Sequence, residues 1–199
     1  IGKGTHGTNE IWKTSFRVPS DEALDYWVKR FDLLEVEHGG IIEQFGRKTV
    51  SFADFDDQQY QLVSDEKDDG VAPGIPWKKG PVPLEYAIRG LGPIWIRVSD
   101  FAFFKEILEK VFLFTQTNQE GDIHLFETGE GGNGARIIAE HNTSLPKARQ
   151  GYGTVHHAAF RVEDKDALNE WIARLDGFRL PNSGYVDRFF FQSLYARAA

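Results

Sequence analysis

"TVHHAAFRVEDKDALNEWIARL", residues 154–175, reads as an alternating strand that runs into an amphipathic helix. The strand closes on Phe160-Arg161-Val162, a polar turn follows, and Leu168, Trp171, Ile172 and Leu175 then recur three and four apart. The same sentence is written twice more in the chain. "EIWKTSFRVPSDEALDYWVKRF" starts at Glu10 and closes its strand on Phe16-Arg17-Val18. "GPIWIRVSDFAFFKEILEKVF" starts at Gly92 and closes on Ile96-Arg97-Val98. Each turn holds a Ser or Asp able to cap the helix that follows.

After each helix the hydrophobic period changes from that of a helix to two. The first copy continues through "VEHGGIIEQFG", "KTVSFADF" and "QQYQLVSD", and the second through "LFTQTNQ", "DIHLFETG" and "ARIIAEHN". These are short strands separated by turn residues. The unit is therefore strand–helix–strand–strand–strand, too large for a solenoid repeat, and it predicts duplicated α+β modules. The expected division is a lead-in at 1–8, a module at 9–66, a linker at 67–87, a module at 88–143, a linker at 144–151 and a module at 152–199 lacking its last strand. The first linker contains "EKDDGVAPGIPWKKGPVPLE", rich in Pro, Gly and charge.

The bulk composition narrows the function. The 199 residues carry a formal net charge of −7 and no long basic run, which argues against nucleic acid and anionic membranes as partners. No apolar run is long enough for a spanning helix. There is no cysteine, so disulfides and thiolate metal sites are excluded and any metal must bind His, Asp or Glu. A cytoplasmic location is the expectation compatible with this. There is also no methionine, even at residue 1. The expectation is a chain that does not begin at its translational start.

"GEGGNG" at 129–134 matches G-x-G-x-x-G, but a strand rather than a helix follows it, so a hairpin turn is the better reading. The histidine pair is more informative. Five positions back from the Val that closes each first strand stand Lys13, Pro93 and His157. If 154–162 is a strand, His157, Ala159 and Arg161 share one face, while His156, Phe160 and Val162 share the packed one. That favours His157 as a metal ligand and His156 as a neighbour that orients it. His6, His38, His124 and His141 have no partners at ligand spacing and read as structural or solvent-facing. In Phe189-Phe190-Phe191 core packing is the default reading.

The repeat, with "FGRKTVSFADFDDQQYQLVSDE", "GVAPGIPWKKGPVPLEYAIRGLGPIWIRVS", "ARQGYGTVHHAAFRVED" and "NSGYVDRFFFQSLYARA", resembles the vicinal-oxygen-chelate superfamily of glyoxalase I, bleomycin-resistance proteins and extradiol dioxygenases. It is most similar to bacterial ring-cleaving dioxygenases of the hydroquinone type. The resemblance implies an α+β fold of repeated βαβββ modules, with curved mixed sheets and helices on their outer face. It implies a divalent metal, Fe(II) first and Mn(II) or Zn(II) as alternatives, held by two histidines and a glutamate. Only His157 of that triad would lie in these residues, its partners falling before Ile1 and after Ala199. A small aromatic diol and dioxygen would be the substrates, and a homodimer is a family habit. Tyr195 in "SLYARA" matches a substrate-facing tyrosine of extradiol enzymes. The histidine expected several residues before it is replaced by Asp187-Arg188-Phe189-Phe190, which puts an unmodified catechol mechanism in doubt. Arg188 is the candidate to hold an oxyanion or carboxylate there, against the ordinary reading of a surface salt bridge. A glyoxalase-like lyase or isomerase, or a non-enzymatic binding module, are the rival functions on this fold.

Overall fold

The computed structural model describes residues 2–198. The first module comprises β1 (Glu10–Val18), α1 (Asp21–Leu33), β2 (Ile42–Gln44), β3 (Arg47–Ala53) and β4 (Gln59–Ser64). The second comprises β5 (Leu91–Val98), α2 (Phe101–Glu106) continued by a π turn at Ile107–Val111, then β6 (Thr115–Glu120), β7 (Ile123–Glu127) and β8 (Arg136–His141). Their eight strands form one mixed sheet in the order β2-β3-β4-β1-β5-β8-β7-β6. Within each module the first strand lies parallel to the last, β1 to β4 and β5 to β8. The modules join where β1 and β5 run antiparallel. The sequence repeat is thus a structural repeat, mated through its first strands.

The helices start where the sequence says they should. Ser20, Asp100 and Asp164 each accept a backbone N–H three residues on, from Ala23, Phe103 and Ala167 at 3.2, 3.0 and 2.9 Å. Each such cap is worth about 1 kcal/mol. The pleat then divides the two faces of the sheet. Phe16, Val18, Val50 and Leu62 pack under α1 with Ala23, Leu24 and Phe31. Val98, Phe126, Ile137 and Ala139 pack under the second helix with Phe104 and Leu108. Both helices therefore cover the same outer face.

The sheet curls away from them. Its two edges are the β2–β3 and β6–β7 hairpins, and the Phe45 N–H at the tip of the first donates to Glu120 Oε1 of the second at 3.1 Å. Phe45 also packs with Trp95, Leu125 and Ile138 on the inner face. Phe45 has φ +47° and Gly46 φ +68°, a left-handed pair of the kind tight hairpins use.

The third segment departs from its siblings. α3 (Lys165–Gly177) forms as expected, but residues 156–162 are not a strand, and only Val155 makes a bridge, to Ile11. A strand needs a neighbour for its N–H and C=O groups, and the described residues offer this segment none beyond Ile11. Phe160, expected in the apolar layer, is 55% exposed, with one ring contact to Phe114. The segment is anchored through its helix instead. Leu175 packs with Ile107 and Val111, and Arg174 Nε and Nη2 donate to the carbonyls of Val111 and Lys110, each at 2.6 Å. A cation there meets the negative end of the preceding helix. A short hairpin, β9 (Val186–Asp187) and β10 (Gln192–Ser193), completes the described structure.

Candidate functional site

The histidine stretch and the C-terminal hairpin supply the first group of side chains. His156 and His157 are both exposed, so the packed position expected for His156 is not observed. The reason is the missing strand: without a pleat the two side chains are not forced to opposite faces. Their Nδ1 atoms stand 3.0 Å apart. One ring donates and the other accepts, which leaves the Nε2 of an Nδ1-protonated His157 with its lone pair free.

Tyr195 also stands beside His157, ring centroids 5.8 Å apart and nearly perpendicular. Its backbone is pinned to Ser183, whose Oγ accepts the Tyr195 N–H and whose N–H donates to the Tyr195 carbonyl, both at 2.9 Å. Arg188 is not brought to this pair. It sits in the turn of the β9–β10 hairpin, where its N–H donates to the Phe191 carbonyl at 2.9 Å, and it shares no described hydrogen bond, ion pair or ring contact with His157 or Tyr195. The phenylalanines beside it are not core residues. Phe189, Phe190 and Phe191 are 90, 89 and 57% exposed, with Phe189 at φ +68°.

The other histidines behave as ordinary side chains. His6 bonds Glu10 and the Asp57 carbonyl, and His38 lies between Asp32 and the Gly39 carbonyl, whose hydrogen bond raises its pKa. His124 stacks on Phe101 at 3.8 Å, and burial lowers its pKa. The glycine run at 129–134 is the β7–β8 turn: Gly129, Gly131 and Gly132 have φ of +55, +71 and +73°. Among the described residues no three His, Asp or Glu side chains gather as a metal cage. His157 is suitable as one donor, but the described residues alone do not hold a divalent ion.

A second polar group was not anticipated. On the inner face, Arg17 and Asp65 form a buried ion pair at 2.7 Å, and Asp65 also accepts from Asn133 Nδ2 at 2.8 Å. Lys13, buried between the Trp12 and Trp95 rings at 4.4 and 3.9 Å, has its pKa lowered to about 8. Burial is the main cause; Glu140 opposes it and Arg97 reinforces it. Arg97 in turn pairs with Glu140 at 2.9 Å and covers the Trp12 ring at 4.3 Å. The signal for this group lay in the alternation Lys13-Ser15-Arg17, polar side chains on the face opposite Phe16 and Val18.

No family model matches the chain. It is 39% identical over 198 residues to "Putative ring-cleaving dioxygenase MhqA" of Bacillus subtilis, covering 96% of this chain and 61% of that protein. It is 24% identical over 204 residues to a protein of Sphingobium indicum named chlorohydroquinone/hydroquinone 1,2-dioxygenase, covering 98% and 60%. Among solved structures, a "putative dioxygenase" from Bacillus subtilis superposes with a TM-score of 0.84 at 25% identity, covering 98% of this chain and 60% of that one. The chain thus spans about three fifths of the length of the curated relatives it matches. With two βαβββ units mated through their first strands into a curled sheet, and with these likenesses over nearly its whole length, the chain has the fold of the vicinal-oxygen-chelate superfamily.

Proposed function

We propose that the protein is a metal-dependent ring-cleaving dioxygenase of the extradiol type, acting on hydroquinone- or catechol-like aromatic diols, with His157 as one ligand of a divalent ion, Fe(II) first. The observation that carries this reading is the apposition of His157 to both His156 and Tyr195. The names of the relatives supply the reaction class. The remaining donors would come from outside the described residues. When bound, the ion would polarise the diol and bring dioxygen beside it.

The chain's own residues have separate tasks in this proposal. His156 holds the tautomer of His157, so that Nε2 rather than Nδ1 offers the lone pair. Tyr195, its backbone fixed by Ser183, presents a ring edge or hydroxyl to a planar substrate next to that nitrogen. Arg188 would serve an anionic substrate only if the hairpin carried it toward this pair, and no described contact supports that role.

The test is oxygen uptake by purified protein loaded anaerobically with iron(II) and then given hydroquinone. Oxygen consumed in proportion to ring-opened product supports the reading. Turnover of a hemithioacetal without oxygen consumption overturns it in favour of a glyoxalase-like lyase or isomerase. Hydroquinone binding with no turnover under any metal overturns it in favour of a binding module.

A further inference from the structure

Among the buried polar groups whose hydrogen-bonding capacity is not met among the described residues, three stand together on the inner face of the sheet: Arg47 Nη1, Thr49 Oγ1 and Gln61 Nε2. Arg47, Thr49 and Gln61 are 5, 3 and 1% exposed. All three line one small cavity, together with Phe45, Asn133 and Arg136. Buried donors without partners are rare because each costs on the order of 1–3 kcal/mol.

The orientation of these atoms is fixed by their neighbours. The Trp95 indole nitrogen can only donate, and it donates to Gln61 Oε1 at 3.2 Å. Ser15 Oγ donates to the same oxygen at 3.1 Å. The amide nitrogen of Gln61 must therefore turn the other way. Arg47 spends Nη2 on Asp69, which leaves Nη1. The side-chain acceptors nearby each already take a donor: Asn133 Oδ1 takes Arg136 Nη1 at 3.1 Å, and Glu127 Oε1 takes Arg136 Nε at 2.7 Å. Donors thus outnumber acceptors, and two guanidinium groups line the space.

We propose that this cavity is a binding site for a small anion, held by Arg47 Nη1, Gln61 Nε2 and the Thr49 hydroxyl. Its room is that of about one water-sized sphere, which admits a single acceptor atom: a halide, or one oxygen of a small carboxylate. An anion suits the surplus of donors better than a water molecule, which brings two more protons of its own. Phe45, whose backbone N–H is bonded to Glu120, lines the site. The site uses none of His157, Tyr195 or Arg188.

The experiment is diffraction from crystals grown in sodium bromide, with a parallel set in sodium formate, and a thermal titration of each salt at constant ionic strength made up with sulfate. An anomalous bromide peak within hydrogen-bonding reach of the three atoms identifies a halide site. Planar density in formate with no bromide peak identifies a carboxylate site. Melting temperature should rise saturably with the bound anion, and Thr49→Val, which keeps shape and loses the hydroxyl, should weaken the apparent affinity about tenfold. Gln61→Leu is the second variant, should Thr49→Val fail to fold. Water alone in the cavity at high bromide and formate, or an adventitious ion only at the surface, overturns the proposal. So does an unchanged titration in a folded variant.

Discussion

His156 Nδ1 and His157 Nδ1 stand 3.0 Å apart, so one imidazole must donate and the other accept. This contact makes the two histidines unequal partners in the proposed metal site. His157→Ala should abolish iron(II) or zinc(II) binding by the protein, because it removes a donor. His156→Ala should weaken it by about 10–100-fold, the usual cost of losing the group that orients a ligand. Isothermal titration of each variant with the metal measures both. Equal losses, or a loss only in the His156 variant, would assign the ligand to the wrong ring.

The Arg17–Asp65 pair is a sharper test of the fold. It links β1 to the segment after β4, and Asn133 ties the same carboxylate to the β7–β8 turn. Both side chains are 5% exposed. Removing one charge from a buried pair leaves the other uncompensated, at about 3–5 kcal/mol. Asp65→Ala should lose that much in urea unfolding. Asp65→Asn should lose less, since it keeps hydrogen-bonding atoms of the same shape. A loss below about 1 kcal/mol in Asp65→Ala would mean that Arg17 is compensated by other groups, such as the Ala72 carbonyl that its Nη1 already meets at 3.4 Å.

Much of this architecture was legible because the repeat was written in two periods. Five of the six strands predicted after the first two helices lie within two residues of the observed ones at both ends, and β2 alone shrinks, to Ile42–Gln44. The cap residues were legible because capping is local chemistry between residues three apart. The strand through His157 was not, although its sequence matches those of β1 and β5. Alternation says which face a side chain would take, but a strand exists only where another backbone completes its hydrogen bonds, and that partner is not a property of the segment. The same reason exposes Phe160. The pairing of His157 with Tyr195 joins residues far apart in sequence, and no spacing rule reports it. Phe189-Phe190-Phe191 misled in the opposite direction, since apolar composition predicts burial only where something is available to bury against.

Lys13 gives the stability an alkaline pH dependence. Its folded pKa is about 8, below the ordinary 10.5. Between those values the unfolded chain binds a proton that the folded chain does not, so stability rises with pH across that window. Below about pH 8 both states are protonated, and the penalty for burying the ammonium is present in full. The rise from pH 8 to 10.5 is at most on the order of 3 kcal/mol. Lys13→Met should be more stable than the parent at pH 7 and should lose this rise. Urea unfolding at pH 7, 9 and 10 measures it, and parallel curves for the two proteins would show that Lys13 keeps its proton, held by the faces of Trp12 and Trp95.

The last prediction concerns how the third segment is held. Its described contacts with the rest of the chain include those of α3, Leu194 and Ala198 with the second helix, the ring contact of Phe160 with Phe114, the bridge from Val155 to Ile11, and the bridges that join Lys3, Thr5 and Thr8 to residues 147–152. Arg174 is the polar part of the helix contact, donating to two carbonyls at the end of the π turn. Those carbonyls belong to a helix terminus and have no helical partner further on, so the guanidinium both satisfies them and meets the negative end of the dipole. Arg174→Ala should therefore expose the backbone of Lys110 and Val111 and loosen α3 from Ile107 and Val111 without unfolding the sheet. Hydrogen exchange should then speed up by tenfold or more at amides of α3 and stay unchanged in β1, β4, β5 and β8. Faster exchange in the sheet strands as well would mean that α3 and the sheet unfold as one cooperative unit. No change in α3 would mean that Leu175 and its apolar neighbours carry the attachment alone.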